Sequence, residues 1–220
     1  MNWAYAIGPR MKVAGLLGIV LAMVFCKNVM DRKNVAMLGD SFSSVYEDRL
    51  LVESYIYKIS DHLYQKHQLT DQYFDGKNVN SHQLNHSLYF HDAAIADLIK
   101  SYKKTKFTQA ETATFKDFTK QYQLLQTKEA HVLNMAAIDT TLYDGLKQSY
   151  RQLNAQLRQL STIQIEEGTK LNQASKSIIA GSVILTTLEM ALLITIAFII
   201  QALILATNSL MTNAPKPSLN

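Results

Sequence analysis

The sequence has 220 residues, of which 18% are charged, and a net charge of +4. Its basic residues are scattered among acidic residues and glutamines and do not form a patch with aromatic residues, which argues against nucleic-acid binding. The single cysteine, Cys26, excludes an internal disulfide framework and a two-cysteine metal site. No phosphate-binding glycine loop, nucleophile elbow or metalloprotease motif occurs, so we expect no enzymatic activity and no cofactor.

An apolar stretch occupies residues 13–30 and is preceded by basic residues. No small-x-small cleavage site follows it, so the pattern predicts an uncleaved signal anchor. We therefore expect a cytoplasmic stub at residues 1–12 and a first transmembrane helix at residues 13–30.

The central region, residues 31–177, contains no proline and few glycines, which is typical of long helices. In its first part, apolar residues repeat with four-three spacing, interrupted only by Arg49, and this repeat predicts a helix-bundle seam. The seam residues are Leu38, Phe42, Val45, Val52, Ile56, Ile59 and Leu63.

Two local signals divide the central region into helices. The turn sequence Asp75–Asn78 ends one helix, and Thr108 with Glu111 makes a capping box that opens another. The predicted helices are about 31–72, 81–104, 108–134 and 139–206.

A second seam occupies residues 143–178 and passes through Gln164 and Glu167. It continues into an apolar stretch, residues 178–206, which is long enough to cross a hydrocarbon core of about 30 Å. Residues 207–220 are expected to be a short disordered tail. The predicted fold is all-α: an up-down-up-down antiparallel four-helix bundle whose first and last helices continue into two transmembrane helices.

Five short segments of the sequence form a familiar set: Ser44–Leu50 (SVYEDRL), Leu160–Gln164 (LSTIQ), Glu166–Gly168 (EEG), Leu188–Glu189 and Ile200–Gln201. Together they resemble the four-helix-bundle sensor domain of methyl-accepting chemotaxis receptors in its two-span form. The resemblance implies a dimeric ligand-sensing domain at residues 31–177 in the periplasm. It also implies a bacterial inner-membrane location with both termini in the cytoplasm.

Charge alone leaves the orientation open. More basic residues lie beside the central region than beside the termini, which points to a cytoplasmic domain, but long loops translocate largely regardless of charge. Receptors of this kind also continue into a linker module and a methylated hairpin, and this sequence has neither. We therefore expect the chain to act through a membrane or cytoplasmic signalling partner.

Arg49 is the first candidate for ligand binding, because a guanidinium at a seam position must be paired or solvated. With Tyr46 and Glu53 it could clamp a small-molecule carboxylate. The structural alternative is a pair with Glu53 or with a partner on the fourth helix. Gln164 is nearer to Arg49 in height than Glu167, which lies about 10 Å lower.

Glu189 is the second candidate, because an ionisable residue inside a span is costly and marks a functional site by default. It could pair with Lys27 from the first span, hydrogen-bond across a dimer or contact another membrane protein. A neutral carboxylic acid packed beside its neighbouring threonines is the structural alternative. With Gln164 and Glu167, these two residues are the candidates for signal transmission or membrane interaction.

His82 and His86 lie one helical turn apart, which is the spacing of metal ligands. His91 points about 140° away on the same helix, so these histidines, with His62 and His67, are expected to be ordinary solvated side chains without a bound metal.

Two functions fit these observations. One is a membrane-anchored, chemoreceptor-like sensory module in which the fourth helix slides against the first. The other is a non-catalytic scaffold or accessory subunit of a larger membrane complex. A pocket at Arg49 would favour the sensor, and a dry, fully paired seam would favour the scaffold.

Overall fold

A computed structural model describes residues 9–76, 80–133 and 140–212, and all regular structure within these residues is helical. The fold is therefore all-α, as the sequence predicts. The elements are α1 (Pro9–Val45), a π-helical segment (Tyr46–Leu50), α2 (Leu51–Phe74), α3 (Ser81–Tyr102), α4 (Gln109–Leu133) and α5 (Thr140–Thr212).

The chain divides into two compact units. The apolar unit contains Met1–Asp40 and Ala174–Asn220, and the bundle unit contains Ser41–Gln173. Two helices are long and apolar enough to cross a membrane, one within Val13–Phe74 and one within Thr141–Ala202. α5 continues to Thr212, beyond the predicted end at residue 206.

The helix boundaries follow local chemistry. Gly76 adopts the left-handed conformation (φ 68°) after α2, which only glycine adopts without strain. Asn80 caps α3, because its side-chain oxygen accepts a hydrogen bond from the backbone N–H of Gln83 (2.8 Å). These features confirm a turn near the predicted place, although Lys77 and Asn78 lie outside the described residues.

The capping box predicted at the start of α4 is present in full. The backbone N–H of Glu111 donates to Thr108 Oγ1 (3.2 Å), and the backbone N–H of Thr108 donates to Glu111 Oε2 (3.1 Å). Two backbone donors at the start of α4 are therefore satisfied by these two side chains.

The bundle core is built by the inward faces of all its helices. Its fully buried apolar and aromatic residues include Val52, Ile56, Ile59, Leu63, Ile95, Tyr102, Phe118, Leu125, Leu146, Tyr150, Leu153, Leu157 and Leu160. Each buried side chain of this size stabilises the fold by about 1.5–3 kcal/mol through transfer from water. The predicted seams of the first and fourth helices are thus real core faces from Val52 to Leu63 and from Leu146 to Gln164.

The first helix of the bundle is formed by the end of α1, the π segment and α2, which follow one another without a break. The π segment changes which side of this helix faces the core. A π turn closes hydrogen bonds from residue i to i+5 and so accommodates one residue more than an α turn. Asp48 and Arg49, which are consecutive, are both buried as a result. Below this turn Ser41 is half-buried, whereas Phe42 is 66% exposed, so the predicted place of Phe42 in the seam is wrong.

Candidate functional site

Four buried polar side chains form a layer across the bundle, here called the Arg49 layer: Arg49, Tyr102, Glu111 and Gln164. Arg49 Nη1 donates to Glu111 Oε2 (3.2 Å) and to Gln164 Oε1 (2.9 Å). Gln164 Nε2 donates to Glu111 Oε1 (2.7 Å) and to the Tyr102 hydroxyl (3.3 Å). The π segment, α3, α4 and α5 each supply one member, so the layer connects all four helices of the bundle.

Local structure places these side chains. The capping box fixes Glu111 in the first turn of α4, where its Oε2 accepts from both Thr108 and the guanidinium. The π segment buries Asp48 beside the layer, and its Oδ1 accepts from the backbone N–H of Lys106 (3.1 Å). Asp48 Oδ2 also accepts from Ser44 Oγ (3.0 Å) on the preceding turn. The bond from Lys106 attaches the π segment to the α3–α4 connection.

The charged and hydrogen-bonding groups of the Arg49 layer are paired with one another, with the exception of one guanidinium N–H. Arg49 and Glu111 are both almost completely buried, and each neutralises the other. Burial and the neighbouring Glu111 carboxylate raise the pKa of the Tyr102 hydroxyl well above its usual 10, so Tyr102 remains a neutral hydrogen-bonding group. Among the described residues, Arg49 Nε finds no acceptor, so one guanidinium donor is available.

The other predicted ligand residues lie outside this layer. Tyr46 is 59% exposed on the outer surface. Glu53 does not pair with Arg49; its Oε1 accepts from Ser161 Oγ (2.7 Å) on α5. Glu167 is bound by Lys170 Nζ (2.6 Å) near the surface, which also raises the pKa of Lys170. Of the two candidates on the fourth helix, Gln164 is the one that meets Arg49.

A second buried polar layer, the Lys66 layer, was not predicted. The Lys66 ammonium has no exposed surface and binds Asp92 and Glu129 Oε2 (2.8 Å to the latter). The Tyr122 hydroxyl donates to Asp92, and the Tyr150 hydroxyl donates to Glu129 Oε1. The layer contains Lys66, Asp92, Tyr122, Glu129 and Tyr150 and lies about 25 Å along the helix from Arg49.

Burial dominates the electrostatics of the Lys66 layer. It raises the pKa of the Glu129 carboxyl, a rise that the Lys66 ammonium opposes. It also raises the pKa of Tyr122 and of Tyr150, and the adjacent carboxylates add to both shifts. The sequence did contain a signal for this buried polar layer. Lys66 and Thr70 continue the four-three spacing of the seam beyond Leu63, and both are buried.

The histidines differ from the prediction. His91 is only 7% exposed, and its Nδ1 lies 3.0 Å from Nδ1 of the half-buried His62 on α2. His67 is half-buried and stacks on Tyr150, with ring centroids 4.8 Å apart. The expectation of ordinary solvated side chains is therefore wrong for these three. Among the described residues, no three His, Cys, Asp or Glu side chains gather in a ready metal site, and His82 and His86 lie along a shallow surface depression.

A groove of about 610 Å³ lies between α2 and α3 beside the histidine pair. Its walls carry glutamine, serine, acidic and aromatic side chains. Its lining includes Asp61, Tyr64, Gln65, His86, Phe90 and His91.

In the apolar unit, Lys27 Nζ lies 2.7 Å from Glu189 Oε2 and 3.5 Å from Asp31 Oδ2. The geometry therefore corresponds to the first of the predicted alternatives for Glu189, a pair with Lys27. Asp31 was not predicted as a member, and its Oδ1 accepts from Ser182 Oγ (3.3 Å) on α5. This three-residue cluster ties the two apolar helices together through charges that an apolar surrounding would not tolerate singly.

The fold and the buried polar layers define an all-α bundle module with two helices fit to span a membrane, as in a two-span membrane protein. The sequence matches the family model described as a four helix bundle sensory module for signal transduction, over residues 4–179. The chain belongs to this family, which confirms the resemblance to chemoreceptor sensor domains. No curated protein and no solved structure gives a significant match to it.

Proposed function

We propose that this chain is a membrane-anchored sensory module that binds a small molecule at its bundle and passes the signal to a partner. The observation that carries the proposal is the Arg49 layer. Its charged and hydrogen-bonding groups join the helices of the bundle, and they can contact one another only at one relative height of the helices. A ligand that changes this layer must therefore change how the helices stand against one another.

The ligand class that suits the layer is a small carboxylate. Arg49 has a free Nε donor, and its Nη1 contacts are shared between Glu111 and Gln164. A ligand carboxylate that takes the place of Glu111 would form a bidentate contact with the guanidinium and release Gln164. Tyr46 and Glu53 flank this position along the first helix.

Transmission is proposed to run along α5. This helix, Thr140–Thr212, carries Gln164, Glu167 and Glu189. A small sliding step of α5 against the first helix would move Glu189 relative to Lys27.

We place the protein in the bacterial inner membrane, with the bundle in the periplasm and both termini in the cytoplasm. Reporter fusions test this topology: a cytoplasmic reporter should be active at Asn220, and a periplasmic reporter should be active when inserted at Lys104.

A second copy of the chain is the proposed partner of the bundle. Large apolar and aromatic side chains form an exposed stripe along the outer face of the first helix at spacings of four and seven. A stripe of this kind is self-complementary about a two-fold axis. We expect Tyr57→Glu to lower the mass of the solubilised protein from dimer to monomer. The stripe contains Phe42, Tyr46, Leu50, Tyr57 and Tyr64.

Thermal unfolding of the full chain in detergent tests ligand binding. A panel of small carboxylates, amines and divalent metals is screened with the parent chain, Arg49→Ala and the matched control Arg151→Ala, whose side chain is exposed on α5. A carboxylate should raise the unfolding midpoint of the parent and of the control, because a ligand bound only to the folded state stabilises it. Arg49→Ala should abolish that rise, measured from its own midpoint.

The scaffold function remains the alternative, and one observation favours it: Arg49, Glu111 and Gln164 already satisfy one another inside the bundle. No midpoint shift across the panel, from a chain with intact helical circular dichroism, would support the scaffold and contradict the sensor.

A further inference from the structure

His62 and His91 form a cross-helix pair of imidazoles. His62 belongs to α2 and His91 to α3, and their Nδ1 atoms are 3.0 Å apart with the rings tilted by 55°. The two nitrogens are hydrogen-bonded to each other across separate helices. A metal ion placed beside the line that joins them could bind both.

The separation of the two nitrogens fits a shared metal ion. With metal–nitrogen bonds of about 2.0–2.1 Å, two ligands at a right angle lie about 2.9 Å apart and two at a tetrahedral angle about 3.3 Å apart. The observed 3.0 Å is close to the right-angle value. Right angles between nitrogen ligands are characteristic of tetragonal Cu²⁺ and Ni²⁺. In the structure the two Nδ1 atoms share a hydrogen bond, so binding of one ion requires loss of that proton and rotation of both rings to aim their lone pairs at the ion.

Carboxylates oppose the fixed positive charge that lies near the pair. Lys66 is the nearby positive charge, and it is opposed by Asp92 and Glu129 within the same layer. Asp61 adds a further carboxylate at the groove.

The groove between α2 and α3 gives access to the pair. His91 is part of its lining, as are Asp61, Gln65 and His86. Since no third His, Cys, Asp or Glu side chain completes a metal-binding group with the pair in the described chain, the remaining coordination positions are left to water. Such a site is open and exchangeable, unlike a closed structural metal site.

We propose that His62 and His91 bind one Cu²⁺ or Ni²⁺ ion, which cross-links α2 and α3 at the groove. The site is separate from the Arg49 layer, and the proposal stands whether or not the bundle senses a carboxylate.

The experiment uses the full chain in detergent and Cu²⁺ as the probe. His82 and His86 are on the surface one turn apart and would chelate Cu²⁺ by themselves, so all variants are made in a His82→Gln/His86→Gln background. Titration calorimetry should give one Cu²⁺ per chain, and electron paramagnetic resonance should show hyperfine coupling to two imidazole nitrogens. Adding His62→Gln or His91→Gln should weaken the affinity by about 10- to 100-fold, and either should leave one coupled nitrogen. His131→Gln, at an exposed histidine, is the control and should change nothing.

Absence of a two-nitrogen spectrum in the His82→Gln/His86→Gln background would overturn the proposal, even if the His91 variant fails to fold. Unchanged binding in a folded His62→Gln variant would overturn it equally, because the copper would then be held elsewhere.

Discussion

At the scale of single residues, the unusual feature of this bundle is charge in its centre. Lys66 and Arg49 are both buried, and each is surrounded by acceptors from other helices. A buried charge pair gives little net stability compared with apolar packing, but the removal of one partner is costly because the other is left uncompensated. These layers therefore specify how the helices pair more than they strengthen the core.

Lys66→Met tests this view of the Lys66 layer. The substitution leaves the buried Glu129 and the half-buried Asp92 against an apolar side chain, so the free energy of unfolding should fall by about 3–5 kcal/mol. Lys58→Met, at an exposed position of the same helix, should change it by less than about 0.5 kcal/mol. Urea unfolding followed by circular dichroism measures both. Equal losses would show that the Lys66 layer has no special energetic role.

His91 should make stability depend on pH. Its pKa is lowered in the folded state, so the unfolded chain takes up the proton first as the pH falls past 6.5. The stabilisation is complete above 6.5 and is lost as the pH falls through the lowered value. The groups that face His91 are His62, Lys66, Asp92 and Asp61.

The measurement is the thermal midpoint of the full chain between pH 7.5 and 5, without metal. It should fall with pH more steeply in the parent than in His91→Asn, while His131→Asn should follow the parent. Parallel curves for the parent and His91→Asn would contradict this prediction.

At the scale of elements, the π segment decides which residues of the first helix face inward. Its extra residue shifts the seam by one position, so that Ser41 lies on the inner side of the helix and Phe42 lies outside. The four-three spacing of the sequence could not show this, because the same apolar spacing is compatible with an uninterrupted α-helix. The insertion also buries Asp48, whose carboxylate then attaches the α3–α4 connection.

Deletion of one residue should therefore be tolerated within the π segment and nowhere else nearby. Removing Glu47 converts the π turn into an α turn and keeps both flanking faces in phase. Removing Lys58 from regular α2 rotates one side of the helix by about 100° and moves core residues to the surface. We expect the first deletion to retain a cooperative thermal transition near that of the parent and the second to lose it. Loss of the transition in both would argue against the one-residue insertion.

At the scale of the whole molecule, two apolar helices are connected by a charged cluster. Lys27 contacts Glu189 and Asp31, and the pairing leaves no isolated charge among these three residues. An ion pair between two spans is more favourable than either charge alone in hydrocarbon. The cluster thus fixes the relative height of the two apolar helices in their unit.

A double-mutant cycle tests this pairing. Lys27→Met should destabilise the full chain in lipid nanodiscs, because Glu189 loses its nearest cation, and Lys27→Met/Glu189→Gln should recover part of the loss. The coupling between the two positions should be about 0.5–3 kcal/mol. Lys176→Met, at an exposed lysine of the same unit, is the control and should show no coupling with Glu189→Gln. Additive effects at positions 27 and 189 would mean that the contact contributes nothing.

The sequence by itself determined the helices and the class of fold. Apolar spacing identifies the inward face of a helix, and the lack of proline in residues 31–177 favours long helices. The Thr108–Glu111 box and the turn at Gly76 mark boundaries that are local by nature. The same locality allowed the two apolar helices and the place of Arg49 in the seam to be predicted.

Only the tertiary structure decided which polar groups meet. Arg49 and Glu111 belong to different helices, as do Lys66 and Glu129, and periodicity says which face each occupies but not the relative height of two helices. That height depends on the packing of many side chains and on the connections between helices, including the extra residue of the π segment. The Lys66 layer and the facing imidazoles of His62 and His91 therefore emerged only when the helices were placed side by side.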